Sequence, residues 1–125
     1  MFKEEGYKLM GAAFEVYNES GYGMAEEIYQ QSLEIELGLR EIPFRSKPEL
    51  TVFYKDRQLD TRYKPDLLVY GGIVVELKAT RQLTDVHFAV VRSYLRAVGR
   101  EHGLILNFAK PTLEAKRVRL RGPLP

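Results

Sequence analysis

Residues 63–79, YKPDLLVYGGIVVELKA, constrain this chain more than any other stretch. Two apolar runs, Leu67-Leu68-Val69-Tyr70 and Ile73-Val74-Val75, meet at Gly71-Gly72, a pattern that predicts a buried β-hairpin. Asp66 stands at one outer end of it and Glu76-Leu77-Lys78 at the other. Side chains two apart in a strand share a face, so Glu76 and Lys78 project with Val74, while Ile73, Val75 and Leu77 point the other way. Asp66 joins Glu76 and Lys78 only if the register pairs it with Glu76. That register needs a three-residue loop, Tyr70-Gly71-Gly72, whose positive φ values glycine tolerates; a two-residue Gly-Gly loop would put Asp66 opposite Leu77, on the wrong face.

Two carboxylates and a lysine converging at the end of a buried hairpin repel and are desolvated unless something compensates them. A divalent cation does so. Hard oxygen donors, with no cysteine in the chain and two histidines, suit Mg²⁺ or Mn²⁺. Such an ion together with a lysine is the equipment of phosphodiester hydrolysis. Glu-x-Lys alone is common by chance, and a structural ion-pair network on a half-exposed strand is the competing explanation.

Around the hairpin the pattern reads helix, helix, strands, helix, strands. Apolar residues Tyr7, Met10, Phe14 and Tyr17, flanked by Leu9, Ala13 and Val16, predict a helix over 3–18, ended by Gly21-Tyr22-Gly23. A second helix is expected over 24–37, with Ile28, Leu33, Ile35 and Leu37 apolar and Gly38 as its stop. Strands 51–54, 63–70 and 73–79, with a polar turn at 55–58, suggest a meander. Thr84 or Asp85 caps a helix to about Val98, followed by Gly99, with Val86, Ala89, Val90, Tyr94 and Val98 towards one side. Residues 103–108 read as a strand buried on both faces and 116–120 as a polar edge strand; only 121–125, RGPLP, look loose.

Composition bounds the setting. A length of 125 residues fits one domain able to bury a core without staples. The absence of cysteine suits a reducing compartment, with the cytoplasm as the expected location. No apolar run approaches a membrane span, and the opening MFKEEGYKLM lacks the order of a signal peptide. Net charge is +2, but residues 1–76 carry 9 basic and 14 acidic side chains (−5), and residues 77–125 carry 10 and 3 (+7). That asymmetry fits either a polyanion partner or a solvated basic face.

Pro65-Asp66, ten residues, and then Glu76-Leu77-Lys78 resembles the PD-(D/E)XK nuclease signature. Gly23-Met24-Ala25-Glu26-Glu27-Ile28-Tyr29 is similar to the pattern that names the GxxExxY family of that superfamily, and the likeness runs through DLLV, VVELKA, a His-containing helix with Tyr94-Leu95, and GLILNF. The resemblance implies a restriction-endonuclease-like α/β fold in an α+β arrangement, one domain over 1–125 with a central mixed β-sheet flanked by helices. It implies Asp66 and Glu76 as metal ligands, Glu26 as a further acidic residue at the site, and Lys78 as the residue that orients water. Glu26 and Tyr29 lie three apart, so both can point at the sheet and Tyr29 can line the site; on the residues alone, Glu26 reads as a solvated helix glutamate and Tyr29 as core packing.

One departure stands out. Where the family carries His-x-x-Gln and then Asn-Tyr-Leu, this helix has His87, Val90 and Ser93 before Tyr94-Leu95. Valine can neither orient a catalytic group nor hydrogen-bond substrate. His87 either lines the site or serves as a cap partner, and His102 reads as a surface residue. Arg92, Arg96 and Arg100, with Arg81 before them, either neutralise nucleic-acid phosphates or are simply solvated. The sequence therefore reads first as a metal-dependent nuclease acting on nucleic acid, DNA before RNA, through backbone contacts, with a homodimer compatible with cutting two strands. The alternative is a catalytically weakened module of the same fold that binds nucleic acid or a protein.

Overall fold

The computed structural model describes residues 2–120; the C-terminal 121–125 expected to be loose lie outside the described residues. The elements run α1 (Phe2–Ser20), α2 (Glu26–Leu39), β1 (Phe44–Ser46), β2 (Leu50–Tyr54), β3 (Arg57–Tyr63), β4 (Leu67–Val69), β5 (Ile73–Lys78), α3 (Asp85–Val98), β6 (His102–Asn107) and β7 (Glu114–Arg119). Five strands form a mixed sheet in the order β1-β4-β5-β6-β7, in which β5 and β6 are parallel and the other pairs antiparallel. β2 and β3 form a separate two-stranded sheet.

The central hairpin has the register expected of it. Leu67 pairs with Val75, Leu68 with Val74 and Val69 with Ile73, so the loop is Tyr70-Gly71-Gly72. Positive φ falls on Tyr70 (56°) and Gly71 (68°) rather than on both glycines. Period-two alternation then divides β5 between two cores. Ile73, Val75 and Leu77 join Leu9, Ala12, Ala13, Tyr29, Leu33 and others on the α1 and α2 side, whereas Val74 packs with Leu68, Val91, Leu95, Ile105 and Val118 under α3.

Several elements depart from the expected pattern. The meander does not form: Pro65 has no N–H to donate, so the run 63–70 breaks into β3 and β4, and the β2–β3 hairpin is left outside the main sheet. β1, a short and polar edge strand, carries no sequence signal. In α1 the buried stripe is Leu9, Ala12, Ala13 and Val16, whose small alanines allow close helix approach, while Tyr7 (82%) and Phe14 (48%) stay exposed. In α2, Ile28 and Ile35 are exposed, and the helix passes through Gly38 to Leu39; Glu41 takes the left-handed turn (φ 57°). α3 is rotated from expectation, burying Val91 and Leu95 and exposing Val86 and Val90, because its apolar residues spread over about half of its circumference and only part of that arc meets the sheet. Thr84 and Gly99 (φ 71°) bound it as expected.

α3 approaches the sheet closely over Gly103. A Cβ there would sit 2.7 Å from Val91 Cγ1 and 3.4 Å from the Val74 carbonyl oxygen. Gly103→Ala is expected to destabilise the fold by about 1–3 kcal/mol, measured by urea unfolding, and Val91→Ala added to it to recover part of that loss.

Candidate active site

The carboxylates at the end of the hairpin are bound into each other's backbone. The Asp66 N–H donates to Glu76 Oε1 at 2.8 Å, and the Leu77 N–H donates to Asp66 Oδ2 at 2.7 Å. Glu76 is only 6% exposed. Lys78, on the same face of β5, brings its Nζ to 3.9 Å from Glu76 Oε2. Burial, and then the charge of Asp66, push the Glu76 carboxyl up to about 7, against the Asp66 N–H and Lys78, which favour its ionised form. Burial likewise raises Asp66, opposed by the Leu77 N–H and by Lys78. Lys78 acts on both carboxylates and Lys47 on Asp66, yet burial outweighs them and both carboxyls are raised.

Helix α2 supplies the next groups. Glu26, in its first turn and exposed, accepts from the Ala79 N–H at 3.3 Å, and its charge raises both Asp66 and Glu76. Tyr29 is fully buried and stacks on Phe108, with ring centroids 4.3 Å apart. Its hydroxyl donates to the Gly21 carbonyl at 2.7 Å and accepts from the Met24 N–H at 3.2 Å. Tyr29 is therefore a structural residue that ties down the turn at Gly23 (φ 102°), from which α2 and Glu26 start.

Two supporting residues were missed in the sequence. Gln30, 3% exposed, donates through Nε2 to the Asp66 carbonyl at 2.9 Å and to Glu34 at 2.7 Å; the Lys47 N–H also donates to that carbonyl at 2.9 Å. Its signal was present, because Glu26 and Gln30 stand four apart on one helix face. Asn107, fully buried and paired in register with Lys78, donates to the Thr80 carbonyl at 2.9 Å and accepts from the Thr80 N–H at 3.1 Å, so it holds the turn beyond Lys78. A lone polar residue ending the apolar run GLILN was the cue.

On α3, His87 is a cap: its Nδ1 accepts from the Thr84 N–H at 3.0 Å. Tyr94, half-buried, meets Tyr63 edge-on with centroids 5.2 Å apart, and its phenol is pushed up to about 12 by burial and then by the charges of Glu76 and Asp66. Tyr94 thus lies near enough to the carboxylates for their charges to act on its phenol. Arg92 is half-buried, and Arg81 and Arg96 are exposed. Arg100 instead lies beside Gly72, whose added Cβ would meet its Cδ at 3.8 Å. Gly72 precedes β5 and is six residues from Lys78, or about 20 Å along an extended chain. His102 is half-buried, with Phe2 4.5 Å from its ring and Arg117 3.1 Å from Nδ1.

Among the described residues no three His, Asp or Glu side chains gather closely enough to hold a metal ion together. The structure brings together two, Asp66 and Glu76, and bonds Glu26 to Ala79. The donor chemistry nonetheless fits Mg²⁺ or Mn²⁺ retaining several waters: each carboxylate has one oxygen fixed by a backbone N–H, leaving Asp66 Oδ1 and Glu76 Oε2 as hard donors.

Comparison with known proteins identifies the family and the fold. A family model described as the PD-(D/E)XK nuclease superfamily matches residues 3–119. No curated protein matches. The solved structure described as "Crystal structure of SSO0001" superposes with a TM-score of 0.60 at 18% identity, over 79% of this chain and 50% of that one, so this chain spans about half its length. At that identity the likeness is one of fold. No helix among the described residues is long and apolar enough to cross a membrane.

Folding raises the Glu76 carboxyl from 4.5 to about 7, so the folded chain binds the extra proton. In EDTA its contribution is therefore full below about pH 4.5 and is lost as the pH rises through 7, by up to about 3 kcal/mol. Tm is expected to fall over that range in the wild type and to flatten in Glu76→Gln. Mg²⁺ or Mn²⁺ at pH 8 is expected to raise Tm in the wild type but not in Glu76→Ala.

Proposed function

Since this chain belongs to the PD-(D/E)XK nuclease superfamily, we propose that it is a metal-dependent nuclease that hydrolyses phosphodiester bonds in nucleic acid, DNA before RNA. Within the superfamily, the Gly23–Tyr29 motif assigns it to the GxxExxY proteins. The observation that carries the reading is the exchange of backbone hydrogen bonds between Asp66 and the Glu76-Leu77 segment, with Lys78 beside it. A fold gains nothing in stability from two desolvated like charges, whereas a phosphoryl-transfer site needs both.

Asp66 and Glu76 would hold the Mg²⁺ or Mn²⁺, with Glu26 as a further acidic group at the helix end. When bound, the ion supplies charge for the phosphate oxygens and lowers the pKa of water. The chain's own residues do the rest. The backbone N–H groups of Asp66 and Leu77 fix the two carboxylates, so no reorganisation is needed on substrate binding. Lys78 orients the attacking water and neutralises charge gathering on the scissile phosphate. Asn107 and Gln30 hold the two segments that carry these groups. Arg81, Arg92 and Arg96 neutralise neighbouring phosphates without reading bases. The cysteine-free composition fits a reducing compartment, and we place the protein in the cytoplasm.

One observation favours a second reading, a binding module with weakened turnover. Val90 stands where the resemblance expects a glutamine, and its side chain offers no hydrogen bond. Purified wild-type protein with Mg²⁺ or Mn²⁺ is expected to cleave labelled nucleic acid, and EDTA, Glu76→Ala and Lys78→Ala each to reduce the rate by at least about a hundredfold. Metal binding without cleavage in the wild type would select the binding module, and Val90→Gln would then be expected to raise activity.

A further inference from the structure

The β2–β3 hairpin stands outside the main sheet and packs against α3. Between them lies a groove of about 430 Å³, whose lining includes Phe53, Tyr63, Ser93 and Arg96. Phe53 is 59% exposed and Tyr54 64% exposed, a large aromatic surface to leave in water. Ser93 donates its hydroxyl to the Ala89 carbonyl at 3.1 Å, which keeps that wall low. The chain links the groove to the segment that carries Asp66. Tyr63 lines it and also meets Tyr94 edge-on at 5.2 Å, and only Lys64 and Pro65 separate Tyr63 from Asp66 in the chain. Arg96 lines the groove, with Arg92 one turn before it on α3, while Lys55 lies over the Tyr54 ring and Arg57 pairs with Tyr54 at the hairpin end.

Cations alone would serve a duplex, whose outer surface is phosphate and whose base faces are hidden in the stack. Exposed rings between cations serve a different ligand, because every unpaired base offers a π face to stack on while its phosphate is neutralised alongside. We propose that the groove between the β2–β3 hairpin and α3 binds single-stranded nucleic acid, with bases stacked on Phe53 and Tyr63 and phosphates at Arg96 and Arg92, and leads the strand to Asp66 and Glu76. The cleavage part of this assignment rests on the nuclease reading; the binding part does not. The substrate class it names is an unpaired strand or a single-stranded tail.

The test is fluorescence anisotropy with fluorescein-labelled 12-nucleotide single strands of DNA and RNA and the matching blunt duplexes, in EDTA so that nothing is cut. The wild type is expected to bind at least one single strand about tenfold more tightly than its duplex. Phe53→Ala is expected to weaken single-strand binding by about fivefold or more and to leave the duplex unchanged, and Phe53→Trp to restore it. The exposure of Phe53 predicts that both variants fold, which Tm and circular dichroism check. Duplex binding as tight as single-strand binding, an equal loss on both, or no loss in Phe53→Ala would overturn the proposal. Cleavage with Mg²⁺ or Mn²⁺, run on the same proteins, separates the two readings. Metal-dependent cleavage that Phe53→Ala leaves unchanged on every substrate removes the groove and keeps the nuclease; ring-dependent single-strand binding without cleavage in either metal keeps the groove and removes the nuclease.

Discussion

The site depends on one reciprocal interaction, the exchange of backbone N–H groups between Asp66 and the segment that carries Glu76. Hydrogen bonds to a charged group contribute about 1.5–3 kcal/mol each, and here each one also orients the carboxylate it reaches. The exchange demands a single register. A slip of one residue would carry Asp66 to the opposite face, and the positive φ at Tyr70 and Gly71 is the conformational cost of the loop that prevents it.

The same interaction leaves an electrostatic imbalance. In a structural ion-pair network the cations would draw the carboxylates down, yet Glu76 is pushed up to about 7 and Lys78 stands 3.9 Å from its oxygen. Burial and mutual repulsion outweigh the available cation. The imbalance tells against a purely structural role and is consistent with the proposed divalent cation, a compact positive charge that accepts hard oxygens. Stability is given up locally for a preorganised, partly desolvated pair of anions, and the two apolar cores on either face of β5 supply the rigidity that keeps them together.

Much of this was legible in the chain. Parity reduced the hairpin to two registers and named the one that brings Asp66 to Glu76, Thr84 and Gly99 bounded α3, and an unbroken apolar run marked 103–108 as a strand buried on both faces. Other features resisted because their signals were ambiguous. α1 and α3 carry apolar residues on more than one face, so periodicity could not choose between the aromatic face and the alanine face, or between Val90 and Val91. Gln30 and Asn107 looked like ordinary polar residues until partners distant in sequence appeared beside them. His87 and Tyr29 looked eligible for chemistry and proved to be a cap and a core tyrosine.

What the sequence determined by itself was local: which residues alternate, where helices start and stop, and that Asp66, Glu76 and Lys78 fall on one face once the loop length is set. These follow from the period-two geometry of strands and from cap chemistry, which act over a few residues. What only the tertiary structure decided was which distant groups meet. It brought Glu26 to the Ala79 N–H, Gln30 to the Asp66 carbonyl and Tyr94 towards the carboxylates, and it set the β2–β3 hairpin against α3 to make a groove. Those contacts span tens of residues and depend on how helices with broad apolar faces rotate against a sheet. That choice is governed by packing, at points such as Val91 over Gly103, and no local pattern in the chain encodes it.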